Sequence, residues 1–177
     1  MKRIIFAILI SMTIGVVLGA AGSQDQAAVI NKIKAEIDAS AKAKPATKEF
    51  IKSRLVDFCT NAIFVEAVQS SNASGVSLAE IQNLDAQWQS AEEELAVMTE
   101  VLGNKCAAEI KRLAGTSAAI TEVFVMDNKG AVVGENVLTS DYWQGDEPKW
   151  QNSYKNGEGG VDVGDEKFDR SINAVIQ

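Results

Sequence analysis

The chain has 177 residues, 46% of them hydrophobic, and a net charge of −7 from 17 basic and 24 acidic side chains. A chain this long buries roughly 70% of its unfolded surface, enough for one core without a metal or a disulfide. The acidic balance argues against a nucleic-acid partner, which needs clustered Lys and Arg, and the absence of any histidine excludes Ser-His-Asp and Cys-His catalysis and the HExxH zinc site.

Residues 1–22 read as a targeting segment. Lys2 and Arg3 precede an apolar run from Ile4 to Leu18, and Gly19, Ala20, Ala21, Gly22 and Ser23 supply small residues for cleavage. This is the pattern of a secretory signal peptide, which places the mature chain in the periplasm and takes its charge from −7 to −9 by removing two cations. The alternative is an uncleaved anchor helix facing the periplasm, because Ile4–Gly22 is near the ~20 residues that span a bilayer.

Residues 24–115 read as helical. Val29, Ile30, Ile33 and Ile37 recur at helical spacing with Lys32, Lys34, Glu36 and Asp38 between them, the pattern of a long amphipathic helix. Pro45 interrupts it. Ile51, Leu55, Phe58, Ala62 and Val65 then resume at steps of 4, 3, 4 and 3, either as one long helix packed on its own domain or as a dimer seam. Gln69–Gly75 is a polar linker, and Ser77 with Glu80 makes a capping box. Ile81, Leu84/Asp85 and Trp88 follow at helical spacing, with Trp88 in the core. Glu92-Glu93-Glu94 is a solvated charge run, Gly103-Asn104 breaks the next helix, and Gly115-Thr116 ends the last. The two cysteines, Cys59 and Cys106, enclose 46 residues. Two readings stay open for them: a disulfide, which in an oxidising compartment stabilises by roughly 3–4 kcal/mol, or two small apolar side chains.

Residues 116–177 change character. Ile120 to Met126 is a buried-strand pattern, Asp127-Asn128-Lys129-Gly130 a turn, and Ala131-Val132-Val133 the return strand. A loop follows with Tyr142, Trp143 and Trp150 within nine residues, among Asp141, Asp146, Glu147 and Lys149. The rings offer apolar walls with O–H and N–H handles. Lys149 suits an acidic group; Asp141 and Asp146 suit an ammonium. Each has a plainer reading: Trp150 and Tyr154 as packing of a short helix on the sheet, Asp146 as the cap of that helix, with Pro148 in its first turn. Asp162, Asp165 and Glu166 are solvated turn residues, and the acids lack calcium-loop spacing, so no metal or cofactor is expected. Val161 and Val163, then Ser171 to Ile176, read as two further strands.

The stretch VFVMDNKGAVVGENVLTSDYWQGDEPKWQNSY, followed by VGDEKFDRSINAVIQ, resembles the PAS-like extracytoplasmic sensor domains called Cache or PDC domains. The likeness is specific over residues 108–177 and compatible in layout from residue 24. It implies an α+β fold with a long N-terminal helix ahead of an antiparallel sheet, and a small-ligand pocket on one face of that sheet. Amino-acid-binding members carry an Arg shortly before the tryptophan, where this chain has Pro148-Lys149. The family also adds strands beyond the position of Gln177, so the sheet is expected to lack its last strands or to take them from another chain. The expectation is an exported, non-enzymatic single-Cache-like module that binds an amino acid, amine or carboxylate through Tyr142, Trp143, Asp146, Lys149, Trp150 and Asp141. It would pass occupancy to a membrane receptor or kinase in signal transduction or chemotaxis. The rival is a periplasmic structural or adaptor protein that uses its long helix as an interaction or homodimer surface.

Overall fold

The computed structural model describes residues 8–10, 23–169 and 174–176, a mixed α+β arrangement that is mostly helical. Of the expected leader, Ile8–Ile10 is a strand, β1, and residues 1–7 and 11–22 lie outside the described part. No helix among the described residues is long and apolar enough to cross a membrane.

Helix α1 runs Ser23–Ala39 and buries Ile37 fully, as its apolar spacing predicts. The chain turns, and α2 starts at Pro45, whose fixed φ suits a first helical turn, and ends at Arg54. The uninterrupted helix expected over Ile51–Val65 does not form. A 3-10 turn, Val56–Thr60, intervenes, and α3 (Ala62–Ala73) restarts behind Asn61, whose side chain accepts the Ile63 N–H at 2.9 Å. The break turns Leu55 and Phe58 into the interior, at 1% and 3% exposure, so these two residues of the seam are spent on the chain's own core. The polar stretch from Gln69 is helical as far as Ala73 rather than a linker. Apolar Phe64 and Val68 anchor its helix from the other side.

Helix α4 (Leu78–Ser90) opens with the predicted capping box: Ser77 Oγ accepts the Glu80 N–H, and the Glu80 carboxylate accepts the Ser77 N–H at 2.8 Å. The Glu92–Glu94 run is an exposed turn, after which come α5 (Ala96–Gly103) and α6 (Lys105–Ala114), the latter capped by Asn104. The hairpin is present, with β2 (Val123–Met126) antiparallel to β3 (Val132–Glu135). Asp127 closes its turn by accepting the Lys129 and Ala131 N–H groups at 2.8 and 3.0 Å. Gly130 takes φ 87°, and a Cβ there would meet the Gly145 backbone at 2.5 Å. Strand β1 pairs parallel to β2 on its other edge, giving the order β1-β2-β3.

Helices pack on both faces of β2. Val123 and Val125 face one cluster with Leu55, Phe58, Phe64, Val68, Cys106 and Ile110. Phe124 and Met126 face a second cluster with Trp88, Met98, Val101 and Val132, bordered by Tyr142 and Trp150. The alternation of a strand sends neighbouring residues to opposite faces. Gly134 lets α6 come close, since a Cβ there would sit 2.9 Å from Cys106 Sγ. Cys106 is a buried member of the first cluster, Cys59 packs against it, and no disulfide joins the two; burial pushes the Cys106 thiol up to about 12.

Helix α7 (Pro148–Tyr154) is present, with Pro148 in its first turn. Beyond it the strand expected at Val161–Val163 is absent. Residues 158–161 lie along α1 instead: Lys32 donates to the carbonyls of Glu158 and Gly159 at 2.7 and 3.0 Å, and Glu36 accepts the Val161 N–H at 2.7 Å. Hydrogen bonds to a helix surface have replaced the ladder that alternation alone suggested. Strands β4 (Lys167–Asp169) and β5 (Ala174–Ile176) form a separate antiparallel pair.

Candidate functional site

The aromatic loop lies over the second face of the sheet, and its position is set by a residue far away in sequence. Asp85 on α4 is 9% exposed, and its Oδ1 accepts the backbone N–H groups of Tyr142 and Trp143 at 2.8 and 2.9 Å. Its Oδ2 accepts from Gln89 at 2.7 Å. One turn on, Trp88 donates its indole N–H to the Thr139 carbonyl at 3.1 Å. Helix α4 therefore grips residues 139–143 at three points. The loop also extends the sheet: Val132 donates to the Tyr142 carbonyl and Gln144 to the Gly130 carbonyl, around a bridge between Ala131 and Trp143.

The six residues singled out in the sequence separate into two groups. Tyr142 and Trp150 border the second cluster, and Tyr142 packs against Trp88 with ring centroids 5.7 Å apart. Desolvation, with Asp127 and Glu100 adding to it, pushes the Tyr142 hydroxyl up to about 12. Lys149 joins them, its Nζ 5.1 Å from the centre of the Phe124 ring. Trp143 turns away from this group: its indole N–H donates to the Lys129 carbonyl at 2.8 Å and its ring lies against Gly145. The Asp141 carboxylate accepts from Ser140 at 2.7 Å, while its carbonyl holds Thr139 and Gln144. Asp146 is exposed, and the cap of α7 is Glu147 rather than Asp146, because the helix begins one residue later than a capping Asp146 requires. Trp150 stacks on Tyr154 at 4.5 Å within α7 and also packs against the second cluster.

Two buried residues at this face carried no flag in the sequence. Glu135 is fully buried and pairs across the ladder with Phe124, whose ring belongs to the second cluster; opposed residues of an antiparallel pair share a face. One carboxylate oxygen accepts the Thr139 N–H at 3.1 Å, and the other, Oε1, has no partner among the described residues. Desolvation raises this carboxyl from 4.5 to about 7, against a lowering by Thr139 and with a further rise from Glu122. Gln144 is also fully buried, donating to the Asp141 carbonyl at 2.9 Å while its Oε1 meets no partner among the described residues. The Trp150 indole N–H is buried and likewise has no partner among the described residues. An acid inside the helical stripe Ile81–Asp85–Trp88 was a visible signal for Asp85. For Glu135 the only signal was a charge where a strand's apolar alternation called for none.

Chemically, this face presents two buried acceptors, one buried donor and a wall of Phe124, Trp88, Tyr142 and Trp150. The rings cover it, so a solute reaches those atoms only if the loop or α7 shifts. An open cleft of about 450 Å³ lies elsewhere, past the end of α6, lined among others by Lys111, Ala114, Ser117, Ile120 and Asn136. Among the described residues no group of three or more acidic or thiol side chains is arranged to hold a metal ion. No family model, no curated protein and no solved structure matches the chain.

Proposed function

We propose that the chain is an exported, non-enzymatic binding module of the single-Cache, PAS-like type, which takes a small organic solute on the aromatic face of its sheet and passes occupancy to a membrane partner. The observation that carries this reading is the set of buried polar atoms at that face with no partner among the described residues: Glu135 Oε1, Gln144 Oε1 and Trp150 Nε1. Buried polar atoms in native proteins nearly always have partners, and each exception calls for a reason. An amino acid, amine or carboxylate brings the missing hydrogen bonds, and the rings supply its apolar contact. Displacing the Asp85-held loop on entry would favour one packing of α4 and α7 over another, which is what signalling requires.

Thermal shift of the purified chain against a panel of amino acids, amines and carboxylates tests the reading. A ligand present at about 100 times its Kd stabilises by about 2.7 kcal/mol, and Glu135→Gln or Trp150→Phe is expected to remove the response. A flat panel overturns it. The tight ring contacts Trp88–Tyr142 and Trp150–Tyr154 favour the second reading, a periplasmic structural or adaptor protein whose aromatic face is already filled. A flat panel, together with unchanged stability when Trp150 is replaced by Phe, is the outcome that reading expects.

A further inference from the structure

β2 has a second unusual property, at its edge rather than its face. All four of its residues are at 2% exposure or less, and they feed both core clusters. A strand covered on both faces has no water available to its backbone, so it needs a ladder on each side. β3 supplies one. The other is supplied by Ile8–Ile10, parallel to β2, with Ile8 opposite Val123, Leu9 opposite Phe124 and Ile10 opposite Val125. That segment lies inside the stretch whose charge, apolar run and small residues read as a cleavable leader. Cleavage would take away one of the two neighbours of the strand at the centre of the core.

We propose that the outer edge of β2 is a strand-acceptor site, held by Ile8–Ile10 before processing and afterwards by an extended, uncharged aliphatic segment of a partner chain, running parallel to β2. The proposal goes beyond solute binding and shares with it only the reading of residues 1–22 as a leader. The seated segment defines the occupant: it is aliphatic, at least three residues long and parallel. The direction argues against a second copy, since two-fold pairing of one β2 edge with another runs the strands antiparallel. Main-chain hydrogen bonds would provide the attachment and the flanking apolar clusters the selectivity, as in other strand-addition complexes. Helix α7 packs alongside β1, so the added strand would sit next to the helix that carries Lys149 and Trp150.

Hydrogen exchange read by mass spectrometry tests this on the full chain, produced without export so that residues 1–22 are retained. The Val123 backbone faces β3, so that of Phe124 faces β1, and in the parallel register its carbonyl is met by the Ile10 N–H. Ile10→Pro removes that ladder donor, and exchange in peptides covering residues 120–127 is expected to rise tenfold or more while α4 is unchanged. Should that variant fail to fold, the chain processed by an exporting host offers the same edge without a substitution. Adding a synthetic peptide of residues 6–11 between lysine pairs is then expected to slow exchange at 120–127, and the same peptide with proline at the position of Ile10 is not. Exchange at 120–127 that ignores both the variant and the peptide overturns the acceptor site. A processed chain that dimerises and protects 120–127 without peptide gives the edge to a second copy and overturns the partner strand. A host that leaves residues 1–22 attached overturns the hand-over, whatever Ile10→Pro does. No arm depends on the solute panel, so the two proposals fail separately.

Discussion

The two faces of β2 are built from adjacent residues and follow opposite rules. The face of Val123 and Val125 meets aliphatic side chains, two phenylalanines and a thiol, packed with Phe58 and Phe64 edge to face at 6.4 Å. The face of Phe124 and Met126 meets two tryptophans and a tyrosine, with a buried carboxylate beside Phe124 that keeps an unpaired oxygen. One face is fully explained by removing hydrocarbon from water. The other retains polar atoms that burial alone would have eliminated, and such breaches of local rules concentrate where proteins act.

Truncating the aliphatic face gives the largest effect. Phe64 is 1% exposed, and Phe64→Ala is expected to cost about 3–5 kcal/mol, read as a fall in the urea midpoint at unchanged slope. A loss well below that range would mean the first cluster collapses around the cavity and is less rigid than its packing implies.

The aromatic face should respond to pH where the aliphatic face does not. The folded chain holds the Glu135 proton more tightly than the unfolded chain, with the carboxyl at about 7 rather than 4.5. The folded state therefore binds more protons between those values, and stability falls as pH rises through that window, levelling off above it. At about 1.4 kcal/mol per unit the loss is at most about 3.5 kcal/mol. Glu135→Gln should flatten the dependence, measured by urea unfolding from pH 4.5 to 8. An equally steep curve in the variant would place the titration elsewhere.

Asp85 is the hinge between the second face and its loop. Asp85→Ala removes its two bonds to the loop and the one from Gln89, and is expected to cost about 2 kcal/mol. Exchange should quicken at residues 139–144 and leave α6 as it was, which separates loop release from general loosening. The smallest effect belongs to neither face. Lys42 and Asp165 pair at 3.1 Å with both side chains largely in water, and Asp165→Asn is expected to leave the urea midpoint unchanged.

Elements with local causes were legible in the sequence. The Ser77–Glu80 box, the Asn104 start, the Asp127–Gly130 turn and the apolar run of β2 each depend on residues within a few positions, and each is where the pattern puts it. Elements whose partner lies far along the chain were misread. Alternation at Val161–Val163 suggested a strand, and a glutamate 125 positions earlier took the backbone N–H instead. Helical spacing across Ile51–Val65 suggested one helix, and Asn61 together with the pull of Leu55 and Phe58 into the core divided it. At the candidate site, the density of rings between Tyr142 and Trp150 was visible, but which of them join was not. Trp143 looked equivalent to Trp150, yet a carbonyl on the hairpin claims its N–H.

By itself the sequence determined composition, caps, turns and the period of each apolar run, because these are set by bonds and sterics between near neighbours. It also set one negative fact: without histidine, no imidazole of this chain can serve as a base or a metal ligand. Only tertiary structure decided that Glu135 is buried beside Phe124, that Asp85 holds a loop 57 residues away, and that the outer edge of β2 is filled by residues 8–10. Those outcomes depend on which surfaces the folded chain brings together. Desolvation of a carboxylate, or the completion of a ladder, has no local precursor in the order of the residues.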